Sequence, residues 1–223
     1  MRKPRILVSN DDGLHGPGLR PLIAAMRRLG EVTAVVPAQE RSADSHSLTL
    51  HKPLRVQEVA PRIFILNGKP ADCARLGILE ILKSQVDLVV SGINRGYNLG
   101  EDIVYSGTVA AAREATLLDL PAIAFSQDPA STDYRAAGVF AQRLAKLVLN
   151  NGLPQGICLS VNIPAPRKGR LEHAVVTRLG RRVYSKEVTL RQDPRGGVYY
   201  WLAGSSVASV YEPGTDVDAV AKG

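Results

Sequence analysis

The chain of 223 residues is 45% hydrophobic and 22% charged, the balance of a soluble globular protein that needs no disulfide staples, since a chain of this length can bury roughly 70% of its unfolded surface. Its 20 glycines and 14 prolines, at that charge fraction, argue against wholesale disorder. Lysine and arginine number 28 against 21 acidic residues, a net charge of +7; this attracts anions such as nucleotides, polyphosphate or nucleic acid, and equally suits a plain solubilising surface.

The N-terminus is basic, but only Ile6-Leu7-Val8 follow before polar residues begin. That run is too short for a signal peptide or a membrane span. Cys73 and Cys158 lie far apart with no partner motif; they fit a reducing compartment, and the expected location is the cytoplasm. Arg5 to Ser9 reads as a short buried strand running into the turn residues Asn10-Asp11-Asp12-Gly13. Pro17 opens a helix with Leu19, Leu22, Ile23, Met26 and Leu29 at helical spacing, and Gly30 ends it. Glu31 to Val36 is the next strand, stopped by Pro37. Strand, helix, strand is a βαβ unit and implies parallel pairing.

Residues 38 to 51 form a polar connection of a length that is often functional. Pro53 to Val59 and Arg62 to Leu66 suggest a hairpin. Pro70 starts a helix with Ala74, Ile78, Leu79 and Leu82 on one face. Val86 to Ser91 is a strand that empties into a glycine-rich loop, Gly92 to Gly100. A helix over Thr108–Leu118, a strand over Ala122–Ser126, a helix over Tyr134–Leu149 and a strand over Ile157–Val161 follow. This alternation predicts an α/β fold, a three-layer Rossmann-like arrangement with a mostly parallel sheet. The α/β core spans 1–166. A β-rich C-terminal extension spans 167–223, basic from Arg167 to Arg182 and then rich in Val, Tyr, Thr and Gly.

In open α/β sheets, ligands bind beyond the carboxyl ends of the strands. Three polar clusters sit there: Asp11-Asp12 after the first strand, Ser42 after the second and Asn94 after the Val86–Ser91 strand. Two neighbouring carboxylates repel and need a cation or donors to stay ionised. With amide and hydroxyl oxygens they make a hard donor set suited to magnesium, manganese or calcium. The same four residues, Asn10 to Gly13, are also simply a good turn. Ser106-Gly107-Thr108 precedes the helical run Val109 to Ala112. Such a helix start holds a phosphate, or is an ordinary N-cap. His15 and His46 could each touch a substrate, or be solvated loop histidines. The glycine-rich loop lacks the Gly-Lys-Ser/Thr ending of a Walker loop, and Gly-x-Ser-x-Gly is absent. Arg167-Lys168-Gly169-Arg170, Arg178 and Arg181-Arg182 could bind polyanions; with little aromatic interleaving they read better as a solvated β arm.

Taken in order, these segments resemble the SurE family of survival proteins. Ser9 to Gly13 is similar to the family's opening motif, and Pro37 through Ser42 to Leu50 to its second. Gly68-Lys69-Pro70-Ala71-Asp72-Cys73 resembles the third, with Lys69 where the family usually has threonine. Val90 to Gly100 and Tyr105 to Ala112 resemble the fourth and fifth, and Gln192 to Gly196 with Tyr200-Trp201 continues the likeness into the extension. The chain ends at Ala221-Lys222-Gly223, where family members usually continue into a further apolar strand and a tail.

The resemblance implies a phosphomonoesterase acting on nucleoside 5′- and 3′-monophosphates, with short polyphosphate a substrate of some members. It implies one divalent metal cation per subunit (Mg, Mn or Ca) on Asp11, Asp12, Ser42 and Asn94. Asn98, Ser106, Gly107 and Thr108 would cradle the phosphate. It implies homodimers or homotetramers built through the C-terminal β arm, with neither a nucleic acid polymer nor a membrane as partner. Asp11 is the expected catalytic residue. Its neighbour is adjacent, not two positions on as in haloacid-dehalogenase-type phosphatases, so direct attack by water is expected over phosphorylation of Asp11. The rival reading is a non-catalytic polyanion-binding protein that uses the basic stretch.

Overall fold

The computed structural model describes residues 2–165, 173–202 and 207–223. In β1 (Arg5–Ser9), Ile6 and Val8 face one side of the sheet and Leu7 the other, all fully buried. This is the two-residue period of a strand covered on both faces. The other core strands are β2 (Glu31–Pro37), β3 (Val56–Ala60), β4 (Ile63–Leu66), β5 (Leu88–Arg95), β6 (Ala122–Gln127) and β7 (Leu159–Ile163), in the order β3-β4-β2-β1-β5-β6-β7. Only the β3–β4 hairpin is antiparallel.

Helices cover both faces. α1 (Leu19–Arg27) packs Leu19, Leu22, Ile23 and Met26 on the Ile6/Val8 side, beside α5 (Arg135–Asn151), which offers Ala137, Ala141 and Ala145. α2 (Pro70–Leu76) and α4 (Gly107–Thr116) cover the Leu7 side with Cys73, Val109, Ala112 and Ala115. A single helical turn, α3 (Asp102–Tyr105), leads into α4. The three-layer α/β expectation therefore holds. The winding reverses at β1, which has β2 on one side and β5 on the other, and a crevice opens at their carboxyl ends.

Two sequence readings are corrected. α2 does not run on as a regular helix: Gly77–Ile81 is a π-helical turn, whose extra residue rotates the apolar stripe and leaves Ile78 buried but Leu79 exposed. The Gly92–Gly100 segment is not all loop, because β5 continues to Arg95 with one extra residue between Ser91 and Asn94 opposite β6. That bulge re-aims Asn94. Gly92 makes it possible, since its φ is +117° and a Cβ there would stand 2.2 Å from the Phe125 carbonyl oxygen.

The extension forms two small ribbons, β8 (Arg181–Tyr184) with β11 (Val207–Val210) and β9 (Thr189–Gln192) with β10 (Val198–Trp201), and closes with an unforeseen helix, α6 (Asp216–Lys222). Arg167 to Arg170, half of the basic stretch, lie outside the described residues.

Candidate active site

Asn10 and Gly13 build the turn after β1: the Asn10 amide donates to the Gly13 carbonyl at 2.9 Å, and the Gly13 N–H donates back to Asn10 Oδ1 at 3.1 Å. The turn thereby frees Asp11 and Asp12 to project. Asp11 is 5% exposed. Its Oδ1 accepts a hydrogen bond from the Thr108 hydroxyl, and its carbonyl accepts the Arg41 N–H at 2.8 Å, tying the 38–51 connection to the acidic turn. Burial pushes the Asp11 carboxyl above its usual range, against the pull of the Thr108 hydroxyl. Burial, then the Asp11 charge beside it, pushes Asp12 up to about 6. Asp12 Oδ2 is buried with no hydrogen-bond partner.

Asp11, Asp12, Ser42 and Asn94 line one open cavity of about 640 Å³, together with Asn98 and Ser106. The Ser42 hydroxyl donates to Glu40 Oε1 at 2.7 Å. Asn94 donates its amide to the Gly96 carbonyl at 3.0 Å, which leaves its Oδ1 as an acceptor. Asn98 is held by Ser126 at 2.7 Å and by an exchange of hydrogen bonds with Asn162.

Ser106 caps α4: its Oγ accepts the Val109 N–H at 3.1 Å, and its own hydroxyl hydrogen stays available. Gly107 and Thr108 lie behind the cavity wall. A Cβ on Gly107 would stand 2.8 Å from Asp11 Cβ, so only glycine lets α4 start against the acidic turn. The Thr108 side chain is fully buried against Asp11.

The donor set fits a hard divalent cation. Four oxygen-bearing side chains face one cavity, and the orphaned Asp12 Oδ2 is a buried acceptor awaiting a positive partner. Among the described residues no group of three or more His, Cys, Asp or Glu is arranged to hold a metal, so hydroxyl and amide oxygens must complete the shell. Of the histidines, His15 lines the cavity. His46 does not: its Nε2 pairs at 2.8 Å with the buried Glu114, which Arg75 holds from the other side at 2.6 Å.

The cavity also contains residues that the sequence reading did not place in the site. Glu40 and Arg95 flank the acidic turn, and Arg182 and Tyr184 reach in from β8. The Arg182 guanidinium and the Tyr184 hydroxyl both donate to Asp102 at the start of α3. Arg182 is thus committed to the core, not spread on a solvated arm. Arg178 is likewise engaged, with Glu212 at 3.7 Å and the Pro213 carbonyl at 3.2 Å.

The family model of the survival protein SurE matches residues 6–186. The chain belongs to the SurE family. A protein named 5'-nucleotidase SurE from Geobacter sulfurreducens is 49% identical over 220 residues, spanning 98% of this chain and 84% of that one. Another of that name, from Syntrophotalea carbinolica, is 49% identical over 221 residues, spanning 98% and 87%. The crystal structure of the SurE protein from Aquifex aeolicus superposes with a TM-score of 0.85 at 39% identity, covering 99% of this chain and 90% of that one. The SurE match runs past β8, so the family's span takes in the strand that closes the cavity as well as the α/β core.

Proposed function

We propose that this chain is a metal-dependent phosphomonoesterase that hydrolyses nucleoside 5′- and 3′-monophosphates to nucleoside and phosphate, with short polyphosphate a further candidate substrate. The observation that carries the reading is the acid pair, with its buried and orphaned oxygen, set against the start of α4 on one cavity. The names of its close relatives support it. Asp11, Asp12, Ser42 and Asn94 hold one divalent cation per subunit, Mg, Mn or Ca. When bound, that cation supplies Lewis acidity at a phosphoryl oxygen and makes water a better nucleophile.

The chain's own groups do the rest. The Asn98 amide and the Ser106 hydroxyl donate to phosphoryl oxygens, and Gly107 and Thr108 hold the helix start in place behind them. Asp11 orients the attacking water with the oxygen that Thr108 leaves free. The water oxygen bonds to phosphorus as the ester bond breaks, and the proton that the water gives up goes to the leaving oxygen. No phospho-aspartate forms. Residues 1–166 act as the catalytic core, and 167–223 as an oligomerisation arm for a homodimer or homotetramer. Support for that arm comes from the exposed Leu190, Tyr199, Tyr200 and Trp201 on the β9–β10 ribbon. No described helix is long and apolar enough to cross a membrane. Both cysteines are free, in keeping with the cytoplasm as the working location. Polyanion binding through the extension is the weaker alternative, because Arg178 and Arg182 already have acidic partners.

The test is phosphate release from a panel of mononucleotides across divalent metals, with and without chelator. Release is expected to stop with chelator and in Asp11→Asn with folding intact. Unchanged release in either arm would remove the metal assignment.

A further inference from the structure

Three tyrosines line the cavity and have no part in the chemistry above; the Tyr97 hydroxyl is held by Asp128 at 2.9 Å, and the other two are exposed. Tyr105 is 57% exposed and Tyr184 46% exposed, yet both line the cavity that holds the carboxylates. Both rings are thus exposed at the cavity, the Tyr184 ring with the Arg182 guanidinium over one face. Tyr105 is the last residue of α3 and is followed at once by Ser106; its carbonyl accepts the Ser45 N–H at 3.0 Å, which steadies that turn. The Tyr184 hydroxyl is fixed on Asp102, and the Arg182 guanidinium lies 5.9 Å from its ring centre, so the ring cannot turn freely.

Asp102 and Ser106 are one helical turn apart, joined by the Ser106 N–H donating to the Asp102 carbonyl at 3.0 Å. Tyr184 is thus anchored about 5.4 Å along the helix from the serine that receives the phosphate. In a nucleoside monophosphate, a ribose carries the base away from the phosphorus by a similar span.

We propose that Tyr184 of the extension and Tyr105 of the core form a stacking platform for the nucleobase of the leaving group, so that the extension helps set substrate specificity. The inference rests on the phosphomonoesterase reading of the cavity. Stacking uses the ring faces that every base presents, so the platform separates nucleotides from simple sugar phosphates while discriminating weakly among bases.

The experiment compares kcat/KM for adenosine 5′-monophosphate and ribose 5-phosphate, which share the phosphate ester and differ by the base. The wild-type chain favours the nucleotide. Tyr184→Leu and Tyr105→Leu each lower the ratio of the two values about tenfold, chiefly through KM for the nucleotide. Tyr184→Phe, which loses the bond to Asp102 but keeps the ring, preserves the ratio. A purely structural role for Tyr184 predicts the reverse, with Phe as damaging as Leu and both substrates affected alike. If Tyr184→Leu does not fold, Tyr105→Leu decides. Equal wild-type kcat/KM for the two esters, or an unchanged ratio in both Leu variants, overturns the platform while the phosphatase stands. Turnover of neither ester by the wild type removes the phosphatase reading and the platform with it.

Discussion

Asp12 carries the sharpest consequence at the scale of single residues. Its carboxyl titrates at about 6 in the folded chain, raised from 3.8. Between those values the folded state keeps a proton that the unfolded state has released. Stability in the absence of cation therefore falls as pH rises through that window and stays reduced above it. A divalent cation acts in the opposite sense, since it binds the deprotonated carboxylates. Added manganese is expected to raise the melting temperature near neutrality, and the gain should shrink as pH drops below about 6. Calorimetry showing the same gain at about pH 5 would take Asp12 out of the ligand set. Thr108 acts through Asp11. Thr108→Val should lower kcat about tenfold or more, the scale of a lost hydrogen bond to a charged group, with little change in KM, and Thr108→Ser should restore it. Single-turnover hydrolysis in ¹⁸O-labelled water should leave Asp11 unlabelled by mass spectrometry; label in its carboxylate would mean a phospho-aspartate.

At the scale of elements, α4 matters most, because its first turn abuts the acidic turn through Gly107. Gly107→Ala places a methyl 2.8 Å from Asp11 Cβ, so α4 and the turn must separate. Phosphate release should fall roughly tenfold or more while far-UV circular dichroism stays close to wild type. Ser106→Ala removes the cap and should cost about 1 kcal/mol in a denaturant titration. The strand–helix–strand opening was legible because its apolar residues are dense and regularly spaced. That Asp11, Asp12 and Ser42 share one cavity was legible because each follows a strand; Asn94 joins them from within β5, by way of its bulge. The π-helical turn was not, since Leu79 and Leu82 carry the spacing of an ordinary helix. Glu40 has no local mark beyond being one more acidic loop residue. Arg182 and Tyr184 were hidden for another reason: their partner, Asp102, lies 80 and 82 positions upstream, a relation that no window of sequence contains.

For the whole molecule, Asp216 joins the extension to the core. Its Oδ1 accepts the Gly180 N–H at 2.6 Å and the Val217 N–H at 2.8 Å, and its Oδ2 accepts the Gly100 N–H at 2.9 Å. Asp216→Ala leaves these donors without an acceptor, a loss of about 3 kcal/mol. Limited proteolysis should then cut the extension first and leave the α/β core as the resistant fragment; cleavage spread evenly along the chain would show that Asp216 is not the tie. The cavity itself is assembled from residues as distant in sequence as Asp11 and Tyr184. Every such wall residue closes a long loop of chain, the slow part of folding. On dilution from denaturant, helix content should recover first and enzymatic activity last, so a nascent or truncated chain would carry the scaffold of this enzyme for a time without its hydrolytic competence.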